Sequence, residues 1–173
     1  MGGLQSIISD DEFFNNSPAK QTQSNGESNM LISKDIFIVH GHDEEAIAKV
    51  ENFIRKINHN PIILRDQANS GKTIIEKIEK FSNVGYGIIL YTCCDEMKSG
   101  NFRARQNVVL EHGYLMGRLG RKKVCALVKG DVELPGDVDG IVYEPMDENN
   151  AWELKLIREL KAVGYEIDAN TLF

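Results

Sequence analysis

The residue of this chain with the clearest chemical potential is Glu111, within RARQNVVLEHGYLMGRLG, residues 103–120. The run has no proline, and its first ten positions also lack glycine, so they read as helix. At 100° per residue, the face carrying Glu111 also carries Ala104, Val108, Leu115 and Leu119 on one flank and Asn107, Tyr114 and Arg118 on the other. That face is one to bury. A surface glutamate on a helix finds a Lys or Arg three or four residues away, but here those places hold Asn107, Val108, Tyr114 and Leu115. A carboxylate directed inward without such a partner has to be hydrogen-bonded, paired from elsewhere in the fold, or used in chemistry.

Three further stretches hold reactive or ligand-binding residue types. HGHD, residues 40–43, follows an apolar run, with Asp43 placed to cap the next helix and Glu44 and Glu45 at its positive end. Gly41 permits close approach of a ligand to the backbone, although a simple turn uses glycine too. His40 and His42 do not define a metal site, because no further His or Cys cluster completes a ligand set. RDQANSGKT, residues 65–73, looks like a phosphate loop because GKT precedes a helix, yet a P-loop requires glycine where Asp66 stands. What remains is a capping box of Thr73 with Glu76 behind a polar loop. Gly71 and Lys72 are placed to meet a phosphate at the helix start, and helix initiation alone explains them about as well. In residues 92–101, Cys93 and Cys94 lack an evident activating base, which leaves Thr92 and Asp95 as the better polar contacts.

These loops are positioned by an alternation of strand and helix signals. Apolar runs at 36–39, 62–64, 86–91 and 124–128 read as buried strands, and 141–143 as an edge strand. Helices are marked by Ala46, Val50, Phe53 and Ile57, then by Ile74, Ile78 and Phe81, then by the Glu111 face, and last by Trp152, Leu156, Leu160 and Val163. Repeated βα units with continuous apolar strands imply an α/β fold, a parallel sheet covered on both sides. Ligands of such sheets bind at the carboxyl ends of the strands, where all three loops lie.

At 173 residues and 42% hydrophobic content, the chain can build one domain with a proper core. A net charge of −6 argues against nucleic acid as a partner. The basic cluster Arg118, Arg121, Lys122 and Lys123 complements a helix C-terminus. Three cysteines, two of them adjacent, form neither a disulfide framework nor a metal-ligand spacing, so a reducing compartment, the cytoplasm, is expected. No apolar run approaches membrane-spanning length, and no signal peptide is visible. MGGLQS matches the loose N-myristoylation pattern through Gly2 and Ser6 without other support. Residues 1–33 are rich in Ser, Asn and Gln and read as a polar tail or linker, leaving 34–173 as the domain. SDDEFF within that tail is alternatively a short docking turn with a double-phenylalanine anchor.

DIFIVHGHDEEA, ANSGKTIIEKIE, GIILYT, ARQNVVLEHGYLMGRLGR and LPGDVDGIVYEP with Trp152 together resemble the bacterial TIR-like family of effectors in cyclic-nucleotide antiphage systems, over roughly residues 34–168. The resemblance implies a flavodoxin-like fold with a five-stranded parallel sheet in order 2-1-3-4-5. It implies cleavage of NAD⁺ at the nicotinamide–ribose bond by a catalytic glutamate on the third helix, which maps to Glu111. It further implies that residues 65–72 mediate assembly into an oligomer or filament and help form the active site. Two features depart from the family pattern. Asn107 stands where many TIR enzymes have tryptophan, and Thr92-Cys93-Cys94-Asp95 stands where relatives have Thr-Pro-Asp-Asp.

One carboxylate suits this chemistry. Ordinary glycosidases need a second, because their alkoxide leaving group must be protonated. Nicotinamide departs from NAD⁺ as a neutral molecule, so a single glutamate can stabilise the oxocarbenium-like transition state and hold the ribose hydroxyls. Asn107 and Tyr114 flank Glu111 and are placed to orient the sugar, although Tyr114 also suits core packing. Water as acceptor gives ADP-ribose, and an adenine nitrogen of the same molecule gives a cyclic isomer. NAD⁺ is then the substrate, with no cofactor and no metal, and activation comes from a separate sensor protein, a small ligand or concentration. Two other functions fit the same fold: a nucleoside N-glycosidic enzyme, and a non-catalytic assembly or adaptor module.

Overall fold

The computed structural model describes residues 33–63, 76, 79, 84–97, 99–135, 141–168 and 170. Strand β1 (Asp35–Val39) leads into helix α1 (Glu44–Lys56) and strand β2 (Asn60–Ile63). Next come β3 (Tyr86–Thr92), the two-residue strands β4 (Asp95–Glu96) and β5 (Phe102–Arg103), and helix α2 (Gln106–Leu119), which carries Glu111. A 3₁₀ turn (Arg121–Lys123), β6 (Val124–Lys129), β7 (Val132–Glu133), β8 (Val142–Pro145) and α3 (Ala151–Ala162) follow.

Five strands form the main sheet in the order β2-β1-β3-β6-β8, and every pairing in it is parallel. Numbered among themselves, its strands run 2-1-3-4-5, the flavodoxin-like order expected. Alternate residues of each strand point to opposite faces, and both faces are apolar here. Ile36, Ile38, Ile88, Leu90, Cys125 and Leu127 pack on one side with Val50 and Phe53 of α1 and with Trp152 and Leu156 of α3. Phe37, Val39, Ile89, Tyr91 and Ala126 pack on the other with Val108 and Leu115 of α2. The result is three layers with the sheet in the middle. A Cβ on Gly87 would lie 3.2 Å from Leu115 Cδ1, so glycine there lets α2 settle close against β3.

Two expectations from sequence need correcting. The helix bearing Glu111 starts at Gln106, three residues into the run that reads as helix. Arg103 is drawn instead into β5, opposite Asp95 and Glu133, since its backbone groups serve either a ladder or a helix and β4 and β7 supply the ladder. Residues 92–101 are therefore more than a loop. They contribute β4, and Phe102–Arg103 directly after them β5, to a second sheet of order β4-β5-β7, with β4 antiparallel to β5 and β5 parallel to β7. This small sheet grows directly from the carboxyl ends of β3 and β6, and it fixes the segment leading to Glu111.

Of the helix expected around Ile74, Ile78 and Phe81, Glu76 and Glu79 are described and helical. Residues 65–72, with Gly71 and Lys72, the Thr73 cap and the polar segment up to residue 32 lie outside the described residues. Among those described, no helix is long and apolar enough to cross a membrane.

Candidate active site

The loop at 40–43 meets the start of α2 through His42 and Arg105. The buried residues of α2 are Val108, Glu111, His112 and Leu115. Glu111 is only 8% exposed. The burying face is narrower than the periodicity implies: Asn107 and Arg118 are exposed, while Tyr114 is half-buried against the apolar cluster under α2. Glu111 thus lies at the margin between core and solvent. Among the described residues no hydrogen bond or ion pair holds it. Burial pushes its carboxyl up to about 7, against the opposing pull of the Arg105 charge.

His112, its neighbour, is buried differently. Its Nδ1 shares a hydrogen bond of 2.9 Å with the Tyr91 hydroxyl from β3, and its ring stands edge-on to Tyr91 and Tyr143. Burial alone takes its pKa down to about 4, so the ring is neutral. This pair ties α2 to the sheet beside the glutamate.

At the end of β1, Asp43 caps α1 as expected, its Oδ1 accepting from the Ala46 N–H at 2.9 Å. Lys129, at the end of β6, reaches across to it at 2.8 Å and to Glu45 at 2.9 Å. Burial acts to raise the Asp43 carboxyl, but the hydrogen bonds from Lys129 and Ala46 outweigh it, and the net shift is downward. His40 turns its Nδ1–H to the Gly41 carbonyl at 2.8 Å. His42 receives a hydrogen bond at Nε2 from Arg105 Nη1 at 2.9 Å, because a guanidinium only donates. The same loop is bound to β3's end, where the His42 N–H donates to Cys94 Sγ at 3.4 Å.

Gly41 is used for close approach, though by a neighbouring side chain: a Cβ there would stand 2.2 Å from Cys94 Sγ. Thr92 is buried, and its hydroxyl lies 3.2 Å from the same sulfur. Thr92 and Cys94 therefore brace the two loops against each other. Cys93 is exposed and its thiol donates to the Asp131 carbonyl at 3.7 Å. Among the described residues no group of His, Cys, Asp and Glu could hold a metal ion.

The structure thus gathers His40, Gly41, Asp43 and Thr92 at one rim, and places Glu111 midway along α2, whose start Arg105 joins to that rim. Three participants escape the sequence reading: His42 as a partner of Arg105, Arg105 itself, and Lys129. Arg105 falls in the run that reads as helix, but its partner His42 lies on another loop where helical spacing cannot reach, and Lys129 meets Asp43 only through the parallel crossover. A hollow of about 280 Å³ opens elsewhere, beside the start of α2, lined in part by Arg103, Val109, Leu134 and Pro135. It includes none of the residues just named at the rim, and Gln106 and Glu133 also line it.

A doubly covered parallel sheet in this order is a flavodoxin-like α/β domain. The sequence profile described as "CAP12/Pycsar effector protein, TIR domain" matches residues 35–148, and the chain belongs to that family of bacterial TIR-like antiphage effectors. It is similar to the uncharacterized protein YuaY of Escherichia coli (strain K12), 44% identical over 143 residues that cover 79% of this chain and 48% of that one. It is also similar to protein tirC of Dictyostelium discoideum, 35% identical over 136 residues covering 69% of this chain and 66% of that one. The chain spans about half the length of the first relative and about two thirds of the second.

Proposed function

We propose that this protein is an NAD⁺ glycohydrolase or cyclase that cleaves the nicotinamide–ribose bond, acting in the cytoplasm as an antiphage effector. The observation that carries the reading is Glu111, a buried carboxylate without ion pair or hydrogen bond among the described residues, on the helix next to the strand-end loops of a TIR effector domain. In that low-dielectric position a negative charge acts strongly on the positive charge that develops on the ribose as nicotinamide leaves. Departure of a neutral leaving group requires no acid, so the absence of a second carboxylate in this role is no obstacle. Asn107 and Tyr114, flanking Glu111, orient the sugar. His40, Gly41, Asp43 and Thr92 shape the rim that receives the nucleotide, and Gly71 with Lys72 takes part at a phosphate.

Residues 65–72 join neighbouring copies and complete the site, so turnover rises faster than linearly with protein concentration. A sensor protein or a small activating ligand promotes the same assembly. The test is mass spectrometry of NAD⁺ incubated with concentrated protein, beside parallel incubations with deoxynucleosides. Nicotinamide together with ADP-ribose or a cyclic isomer supports the reading. Base release from the deoxynucleosides alone reassigns the protein as a nucleoside N-glycosidic enzyme, and self-association without loss of NAD⁺ makes it an assembly module.

A further inference from the structure

We propose that the outer side of α2, with the neighbouring edge of the small sheet, is a two-fold contact between two copies of this chain, in which Leu110 of each copy enters a hollow on the other. Val109 and Leu110 are 38% and 59% exposed, and Phe102 of β5 is 42% exposed. Among the described residues one other large apolar side chain is as exposed, Leu154, and it belongs to α3 on the opposite side of the sheet. The hollow of about 280 Å³ is lined by Ala104, Val109, Leu134 and Pro135, together with Arg103, Gln106 and Glu133. Leu110 follows Val109 and stands one turn on from Gln106, so it projects at the rim of that hollow. Exposed apolar side chains gathered beside a hollow mark a contact surface.

The helix itself departs from the pattern of a solvated surface helix. Gln106, Val109, Leu110, Gly113 and Gly117 fall within about 100° of arc by helical spacing, and all are exposed. A solvated face of that width carries charged residues, and this one has none. A Cβ on Gly113 or Gly117 would meet no atom within 4 Å. Packing within the chain therefore does not call for glycine at either place, although glycine weakens a helix relative to alanine. What the two glycines provide is bare backbone against which a second copy lies. Arg103 and Glu133 are partners in the β5–β7 register, and both are exposed at the hollow. Neither takes part in an ion pair among the described residues. A surface that holds a projecting leucine beside a hollow, and an unpaired cation beside an unpaired anion, complements a copy of itself related by a two-fold axis. Arg103 of each copy then meets Glu133 of the other. This reciprocity favours a second copy over an unrelated partner, which would need only one half of each pair. The contact is distinct from the assembly assigned to residues 65–72 and does not depend on any reaction at Glu111.

The experiment is sedimentation velocity of the full-length protein over a dilution series, for the wild type, Leu110→Glu, Arg103→Glu, Glu133→Arg and an equimolar mixture of the last two. All three residues are exposed, so the variants should melt as the wild type does, which a thermal scan of each sample checks. The wild type is expected to dimerise, with a dissociation constant that rises at least about thirtyfold in Leu110→Glu. Each charge reversal alone sets like charges against each other and should weaken the dimer about tenfold. Mixing the two reversed variants should restore it, because each copy then offers the sign that the other lacks. A wild type that stays monomeric, association undiminished in Leu110→Glu, or a mixture no tighter than its separate variants overturns the proposal. If Leu110→Glu fails to fold, the mixture decides.

Discussion

The face of the sheet beneath α1 and α3 and the face beneath α2 are built from alternate residues of the same strands, yet they bury different things. Beneath α1 and α3 the packing is aliphatic and aromatic, with His59 at its edge returning its ring nitrogen to the Ile57 carbonyl. Beneath α2 lie Tyr91 and His112, with Glu111 at the margin. His112 and Glu111 make the contrast within a single helix. Both are taken out of water by the same packing, and both are pushed by it toward their neutral forms. His112 accepts neutrality and bonds to Tyr91, which makes it an anchor. Glu111 has no such partner among the described residues, and its carboxyl is left near the pH at which it is half ionised. A fold selected for stability alone would place an apolar residue there, so packing accounts for His112 and not for Glu111.

The largest stability effect expected is at His112. Its pKa is 6.5 in a free chain and about 4 in the folded protein, so the unfolded chain binds the extra proton between those values. Stability is fully present above pH 6.5 and falls as pH drops toward 4, by up to about 3 kcal/mol. Replacing His112 with Phe should flatten this part of the denaturant-midpoint profile. An unchanged acid slope in the variant would place the sensitivity elsewhere and remove the contrast with Glu111.

A second effect concerns the brace between loops. Gly41→Ala forces its new methyl group onto Cys94, which should cost about 2 kcal/mol by overpacking. Adding Cys94→Ala to that variant should recover most of the loss. If the double variant is no more stable than the single one, the two loops are not braced as described.

A smaller effect is expected at Lys129. Its ion pair with Asp43 is partly exposed, so Lys129→Met should lower stability by about 1 kcal/mol or less. High salt should shrink the difference between variant and wild type. Salt independence would indicate that the lysine stem, and not its charge, packs the loop.

Much of this was legible in the sequence where periodicity decides it. Continuous apolar runs named all five main strands and their parallel arrangement, because residues buried on both faces leave no polar alternation. Asp43 announced its cap, because capping is local. The inward direction of Glu111 was legible from Val108 and Leu115. The small sheet was not, since two-residue strands such as Phe102–Arg103 are set by partners distant in the chain and carry no period of their own. Arg105 and Lys129 escaped for the same reason, their partners being separated from them by 63 and 86 residues. Exposure of Asn107 differs from the expectation of a wide burying face, because α2 presents only a narrow stripe to the sheet.

The most direct test is Glu111→Gln, measured for NAD⁺ turnover and thermal stability on one preparation across pH. The folded carboxyl titrates near 7 and the unfolded one near 4.5, so the folded state holds the extra proton between these values. Stability contributed by the neutral acid is therefore lost as pH rises from 4.5 through 7, a cost of about 3 kcal/mol at pH 8. Glutamine removes that cost while keeping size and shape. The account predicts a variant with a higher melting temperature at pH 8, little change at pH 4, and turnover reduced at least about a hundredfold, roughly 3 kcal/mol of lost transition-state stabilisation. A folded variant with near-normal turnover, or one destabilised at pH 8 as the breaking of a buried ion pair would be, contradicts it.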